Sequence, residues 1–133
     1  MSVRYLLDTD AVVDVLRGRH RVAERLSQVS PEDVGVSAMT LAELLYGSLC
    51  SVDAERSERE VRRFVEAIRV IPFGRAASAA HARLRHAFRQ RNIGPNDLVI
   101  AATAVSARAI VVTSNLREFT RVDGLTVQDW RQR

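Results

Sequence analysis

A chain of 133 residues sets the scale at one core and one site, and a single domain over residues 1–133 is expected. With 47% hydrophobic and 27% charged residues and no low-complexity tract or internal repeat, it is neither a disordered chain nor a solenoid; with no apolar run long enough for a signal peptide or a membrane span, a cytoplasmic protein is expected. The net charge of +4 comes from twenty arginines and no lysine, and the one cysteine, Cys50, excludes an internal disulfide and a Cys-based zinc site and is expected as a small buried thiol.

Residues 4–7 (RYLL) predict a buried strand, followed by helices over 11–17 and 22–28 with Gly18 between them. Residues 34–37 (VGVS) predict a second strand, leading into a helix with Leu41, Leu44, Leu45 and Leu49 on one apolar face. An amphipathic helix over 54–69 puts Val61, Phe64, Val65 and Ile68 on its inner stripe and ends before a strand at 70–73 (VIPF). A long helix over 76–91 points Ala77, Ala80, Leu84 and Phe88 inward and sets His81, Arg85 and Arg89 in an outward row. Gly94-Pro95 marks a turn before a helix with Leu98, Ala101, Ala102 and Val105 on one face. Residues 109–113 (AIVVT) lack alternation and predict a strand covered on both sides; a short helix at 115–119 and a strand at 125–127 close the chain. Strands separated by helices throughout predict an α/β fold with a mainly parallel sheet between layers of helices.

Charge is unevenly spread along this pattern. Between Arg56 and Arg91 there are ten arginines against Glu58, Glu60 and Glu66, so the rest of the chain is net acidic. One surface that grips a polyanion and another that holds cations would produce this, and so would solvated helix faces. The row of His81, Arg85 and Arg89 is the candidate phosphate contact.

The acids fall where an α/β sheet builds its crevice, beyond the carboxyl ends of the strands. Asp8 follows the first strand, Glu43 lies early in the helix after the second, Asp97 opens a helix, and Asn115 and Glu118 follow the strand ending at Thr113. Each can be read as a helix cap: Asp8 or Asp10 for the first helix, Thr40-x-x-Glu43 and Asn115-x-x-Glu118 as capping boxes, Asn96 or Asp97 after Pro95. Together they crowd carboxylates with no lysine nearby, which a bound cation relieves. All-oxygen ligation favours magnesium or manganese over zinc, and such ions serve in-line attack on phosphorus. Asp8-Thr9-Asp10 also fits the DxD of haloacid-dehalogenase-type phosphatases. Those enzymes typically add a lysine and a later pair of aspartates, and neither the chain nor its VVTSNLREF segment supplies them; the missing lysine counts equally against a receiver domain.

Four segments, YLLDTDAVVDVLRG at 5–18, VSAMTLAELLYG at 36–47, GPNDLVIAATAV at 94–105 and IVVTSNLREFTRVDGLTVQDW at 110–130, occur in order over nearly the whole chain. Together they resemble the PIN-domain ribonucleases, and within them the VapC-type toxins. The resemblance implies a PIN-like three-layer α/β/α domain with a central sheet of about five strands. It implies catalytic roles for Asp8, Glu43, Asp97 and Glu118, with Asp8 and Asp97 holding Mg2+, for which Mn2+ substitutes, and Thr9, Thr113 and Asn115 in support. Asn115 stands where many PIN domains have aspartate, which leaves it and Glu118 as alternatives for the fourth group. Asp10 departs from the family's asparagine and is expected to cap the first helix; Asp14 is expected to be structural or solvent-facing. Tyr46 and Trp130 are expected as packing residues, and His20, His81 and His86 as surface residues outside any motif, with His81 able to assist Arg85 and Arg89 on an RNA backbone.

The activity so implied is that of an endoribonuclease toxin: a metal-activated water attacks an RNA phosphate in line and leaves 3′-hydroxyl and 5′-phosphate ends. Structured RNA is the expected substrate, tRNA ahead of ribosomal RNA. The implied partners are a VapB-type antitoxin that covers the site and a second copy in a homodimer, giving a heterotetramer or larger assembly that meets DNA only through the antitoxin and no membrane. A non-cleaving RNA-binding module and a DxD phosphatase are the alternatives.

Overall fold

Five short strands carry the framework: β1 (Tyr5–Leu7), β2 (Val34–Ser37), β3 (Arg69–Ile71), β4 (Ile110–Val112) and β5 (Val127–Gln128). The computed structural model describes residues 3–131 and orders these strands β3-β2-β1-β4-β5, every neighbouring pair parallel. Between them run α1 (Thr9–Arg17), α2 (Val22–Leu26), a 3-10 turn (Pro31–Asp33), α3 (Ala38–Leu49), α4 (Ala54–Glu66), α5 (Arg75–Ala87), α6 (Pro95–Ala107) and α7 (Leu116–Phe119). No helix among the described residues is long and apolar enough to cross a membrane.

Period-2 side-chain alternation splits the core in two. Tyr5, Leu7, Val34, Val36 and Val112 face one way, against α1, α3, α4 and the buried Trp130. Leu6 and Val111 face the other way, against Phe88, Ile100, Ala101, Ala104 and Phe119 from α5, α6 and α7. Both faces of β1 and β4 are therefore covered, as their unbroken apolar runs require. Helix α6 is buried at Leu98, Ile100, Ala101, Ala102, Thr103 and Ala104, around most of its girth rather than along the one predicted face.

Several boundaries differ from expectation for local reasons. Strand β3 stops at Ile71, before Pro72, which has no N–H to give a ladder. Helix α5 ends at Ala87, so Arg89 lies beyond its last turn, where it donates to the carbonyl of His86. Leu49 is 71% exposed. Ser48 takes the inner position instead, donating to the Leu44 carbonyl and accepting from the Ser57 hydroxyl of α4. Gly35 is needed in β2: a Cβ there would stand 3.1 Å from the Arg69 carbonyl oxygen and 3.2 Å from Val3 Cγ1. Gly35→Ala is accordingly expected to cost about 1–2 kcal/mol in a urea melt.

The sheet order places a topological switch between β1 and β4, since the chain leaves them toward opposite edges. Beyond their carboxyl ends lies the crevice where open α/β sheets place their ligands.

Candidate active site

Asp8 stands in that crevice, 3% exposed, as the residue that ends β1 and caps α1. Its backbone N–H donates to the Val112 carbonyl of β4 (3.0 Å), which keeps it level with the end of the neighbouring strand. One carboxylate oxygen accepts from the Ala11 N–H (2.8 Å) and the other from the Thr113 hydroxyl (2.5 Å). The cap of α1 is thus Asp8 and not Asp10, correcting the expectation for Asp10, which is exposed and contributes only its charge. Capping and a site role coincide in Asp8, because a helix N-terminus at a strand end aims one carboxylate at both.

Glu43 projects from α3 toward the same crevice. It is no partner in a capping box: Ser37 caps α3 by accepting from the Thr40 N–H. Glu43 instead accepts from the Thr9 hydroxyl of α1 (2.6 Å) and from the Asn96 amide of α6 (3.0 Å). Thr9 also lies 3.3 Å from Thr40 Oγ1, which is 3.3 Å from Ser37 Oγ. Ser37, Thr40 and Asn96 complete a polar chain around Glu43 that sequence reading missed. The signal was available for Asn96, two residues beyond the Gly94-Pro95 turn, where it was read only as a cap.

Asp97 lies in the first turn of α6, half-buried, with Gly94 rather than Asn96 or Asp97 itself at the cap position. Of the two candidates after β4, Glu118 is the one whose charge reaches Asp97. Glu118 also accepts the Gly94 N–H (2.7 Å), tying α7 to the turn that launches α6. Asn115 is exposed and uses its backbone N–H, donated to the Thr113 hydroxyl at 2.8 Å.

The electrostatics follow from this placement. Burial pushes the Asp8 carboxyl up to about 7, against the lowering effect of the Thr113 and Ala11 hydrogen bonds, with Asp10 and Asp97 adding repulsion. Asp97 is raised to about 6, by desolvation first and then by Glu118, Glu43 and Asp10. Carboxylates so raised fit a divalent cation, which would relieve the repulsion between them. Asp8 and Asp97 are the two that would hold it, and their all-oxygen chemistry suits magnesium or manganese. Among the described residues no group of three acids, histidines or cysteines is placed to hold a metal ion as it stands.

Comparison with known proteins identifies the family. Residues 5–125 match the model of the PIN domain. The chain belongs to the PIN domain family. Among its PIN relatives, ribonuclease VapC1 of Haemophilus influenzae is 34% identical over 130 residues, covering 95% of this chain and 97% of the relative. The tRNA(fMet)-specific endonuclease VapC of Shigella flexneri is 32% identical, covering 96% and 98%. Among solved structures, the DNA-bound VapBC of Salmonella typhimurium superposes with a TM-score of 0.89 at 30% identity, over 96% of this chain and 98% of that one.

Other expected residues part company with the site. The PIN fold buries Asp14 at 3% exposure, paired with Arg131 through two hydrogen bonds. Trp130 is buried edge-on to Tyr5, as expected of packing. Tyr46 is 69% exposed and Cys50 is exposed as well, so neither is the packing residue expected; both lie near the end of α3, on its outer side. His20 and His86 are exposed, and His81 rests its ring edge-on against Phe73.

Proposed function

We propose that this PIN domain is a divalent-metal-dependent endoribonuclease and the toxin of a toxin-antitoxin pair. The observation that carries the reading is Asp8, a buried carboxylate fixed by Thr113 and the α1 N-terminus at the switch between β1 and β4 and facing Asp97. A divalent cation bound there would supply a nucleophile at neutral pH and charge neutralisation at the phosphorus, and Asp8 and Asp97 would hold it. Glu43, locked by Thr9 and Asn96, orients the attacking water and takes its proton, and Glu118 positions Asp97 by holding the turn before it. Attack in line leaves 3′-hydroxyl and 5′-phosphate ends.

The similarity to endonucleases named for tRNA(fMet) supports tRNA ahead of ribosomal RNA as substrate. The likeness to DNA-bound VapBC complexes supports a VapB-type antitoxin as partner; a homodimer within a larger assembly, meeting DNA through the antitoxin, completes the proposal. A groove of ≈ 410 Å³ starts at Thr9 and Glu43 and continues past Val13, Leu16, Leu44 and Val61, offering an antitoxin segment an apolar seat that ends on the acids.

The test is incubation of the purified, antitoxin-free protein with total tRNA and with ribosomal RNA, in magnesium or in EDTA. Discrete fragments with 5′-phosphates that disappear in EDTA are expected; fragments that persist in EDTA would overturn the metal-dependent reading. Thr113→Val adds a pH readout. It removes a hydrogen bond that lowers the Asp8 pKa, so the acid limb of the rate profile should move to higher pH. An unmoved limb would detach Asp8 from that limb.

A further inference from the structure

The arginine-rich segment divides into two kinds of surface. On α4, Arg56 pairs with Glu60 at 3.3 Å and Arg62 with Glu58 at 3.1 Å, each one turn apart, which is a salt-bridged solvent face. Around the end of α5 the arginines have no such partner. Arg85, Arg89, Arg91 and Arg121 make no carboxylate ion pair among the described residues. They bind backbone instead: Arg89 donates to the His86 carbonyl, Arg91 to that of Ala87, and Arg121 to that of Asn92. Arg91 and Arg121 also lie over the ring of Phe88, at 4.5 and 5.3 Å from its centroid. Each guanidinium keeps donors to spare, and stacking limits the entropy it would lose on meeting a ligand.

Arg85, Arg89 and Arg91 line a groove of ≈ 430 Å³ that continues to Pro95 and Leu98, and Arg121 meets its edge at Asn92 and Phe88. Pro95 and Leu98 stand on either side of Asp97 in the sequence of α6, so the groove reaches the helix turn that carries Asp97. Arg121 joins this cluster from the other side of α6 in sequence, thirty residues from Arg91.

We propose that the groove formed by the end of α5 and residues 88–95, with Arg121 beside it, is the track for the RNA backbone, with Arg85, Arg91 and Arg121 as its principal phosphate contacts, and that the salt-bridged Arg56 and Arg62 of α4 are not part of it. This rests on the ribonuclease reading for the choice of polyanion, and it names where that substrate enters. Phosphate contacts of this kind position a strand without reading its sequence.

The test uses the full chain carrying Asp8→Asn, so that binding is read without cleavage, and a labelled RNA hairpin with a seven-nucleotide loop as the probe. The triple variant Arg85→Ala, Arg91→Ala, Arg121→Ala is expected to bind at least about thirtyfold more weakly, with the slope of log Kd against log salt reduced by about 2. Arg56→Ala with Arg62→Ala is expected to stay within about twofold of the parent. The corresponding Arg→Lys triple should recover most of the affinity, because charge survives although the forks are lost. The proposal is overturned if the alanine triple binds like the parent, if the α4 pair loses as much, or if the lysine triple binds as weakly as the alanine triple, which would trace the loss to the fold. Cleavage by the wild-type chain is read in parallel: its absence alongside the expected binding pattern fails the ribonuclease reading and leaves the track standing.

Discussion

Asp8→Asn is expected to reduce RNA cleavage by at least about a thousandfold, a loss of roughly 4 kcal/mol of transition-state stabilisation, while making the cation-free protein more stable at neutral pH. Both effects have one cause. Asp8 is buried beside other acids, so its charge is costly until a cation shares the crevice, and its carboxyl rises from 3.8 to about 7. A carboxyl raised on folding favours the fold while protonated. That contribution is present in full below about pH 4 and is lost as the pH climbs through 7; at 1.36 kcal/mol per unit it amounts to about 4 kcal/mol. Asp97, raised to about 6 and half-exposed, acts in the same sense over a slightly lower window. Urea unfolding of both proteins in EDTA at pH 5 and pH 8 measures the difference. The wild type should lose stability relative to the variant between those two pH values, and magnesium at pH 8 should restore it to the wild type alone. Equal pH slopes in the two proteins would rule out the buried-charge account.

Arg131→Ala is expected to cost about 2–3 kcal/mol and to lower the melting temperature by roughly 5–10 °C. The Asp14 side chain on α1 is 4% exposed, and Arg131 donates to it through Nε at 2.8 Å and Nη2 at 3.2 Å. Removing the arginine strands a carboxylate that is almost wholly out of reach of water. The loss falls short of that for a fully buried pair because the Arg131 side chain is itself 36% exposed, so water replaces part of what it gave. Asp14→Asn should cost less than Arg131→Ala, since the charge left behind is that of Arg131, whose side chain is 36% exposed and can be hydrated. Thermal melts of the two single variants and the double variant complete a cycle; a double variant as unstable as the two losses added would mean that the residues do not act as a pair.

The strand order was half-legible in the residues. Apolar runs at 5–7, 34–37 and 110–112 located the interior strands, but the two-residue β5 and the end of β3 depend on pairing and on Pro72, which periodicity does not weigh. At the site, the strand-end positions singled out Asp8, Glu43, Asp97 and Glu118, and the fold brings Asp8, Glu43 and Glu118 within electrostatic reach of Asp97. The supporting groups were harder to see. Ser37 and Thr40 read as an ordinary helix start, and only the packing of α1 on α3 brings Thr9 and Glu43 to them. Leu49 was misplaced because a spacing of three and four fits more than one face, and the Ser48–Ser57 bond settles the rotation. Arg121 was passed over because it lies outside the arginine-rich segment; its place beside Phe88 is a tertiary fact.

The hydrogen bond between Asp8 and Thr113 spans 105 residues of sequence. The first carboxylate of the site leaves the ribosome early, but its partner hydroxyl, the β4 carbonyl that receives its N–H and the turn carrying Asp97 all come much later. Domains assemble as units during synthesis, and long-range parallel pairing is slow to form. On the ribonuclease reading, the growing chain therefore cannot assemble this site until residues well past 100 have emerged. Order of synthesis thus makes activity one of the last properties the chain acquires.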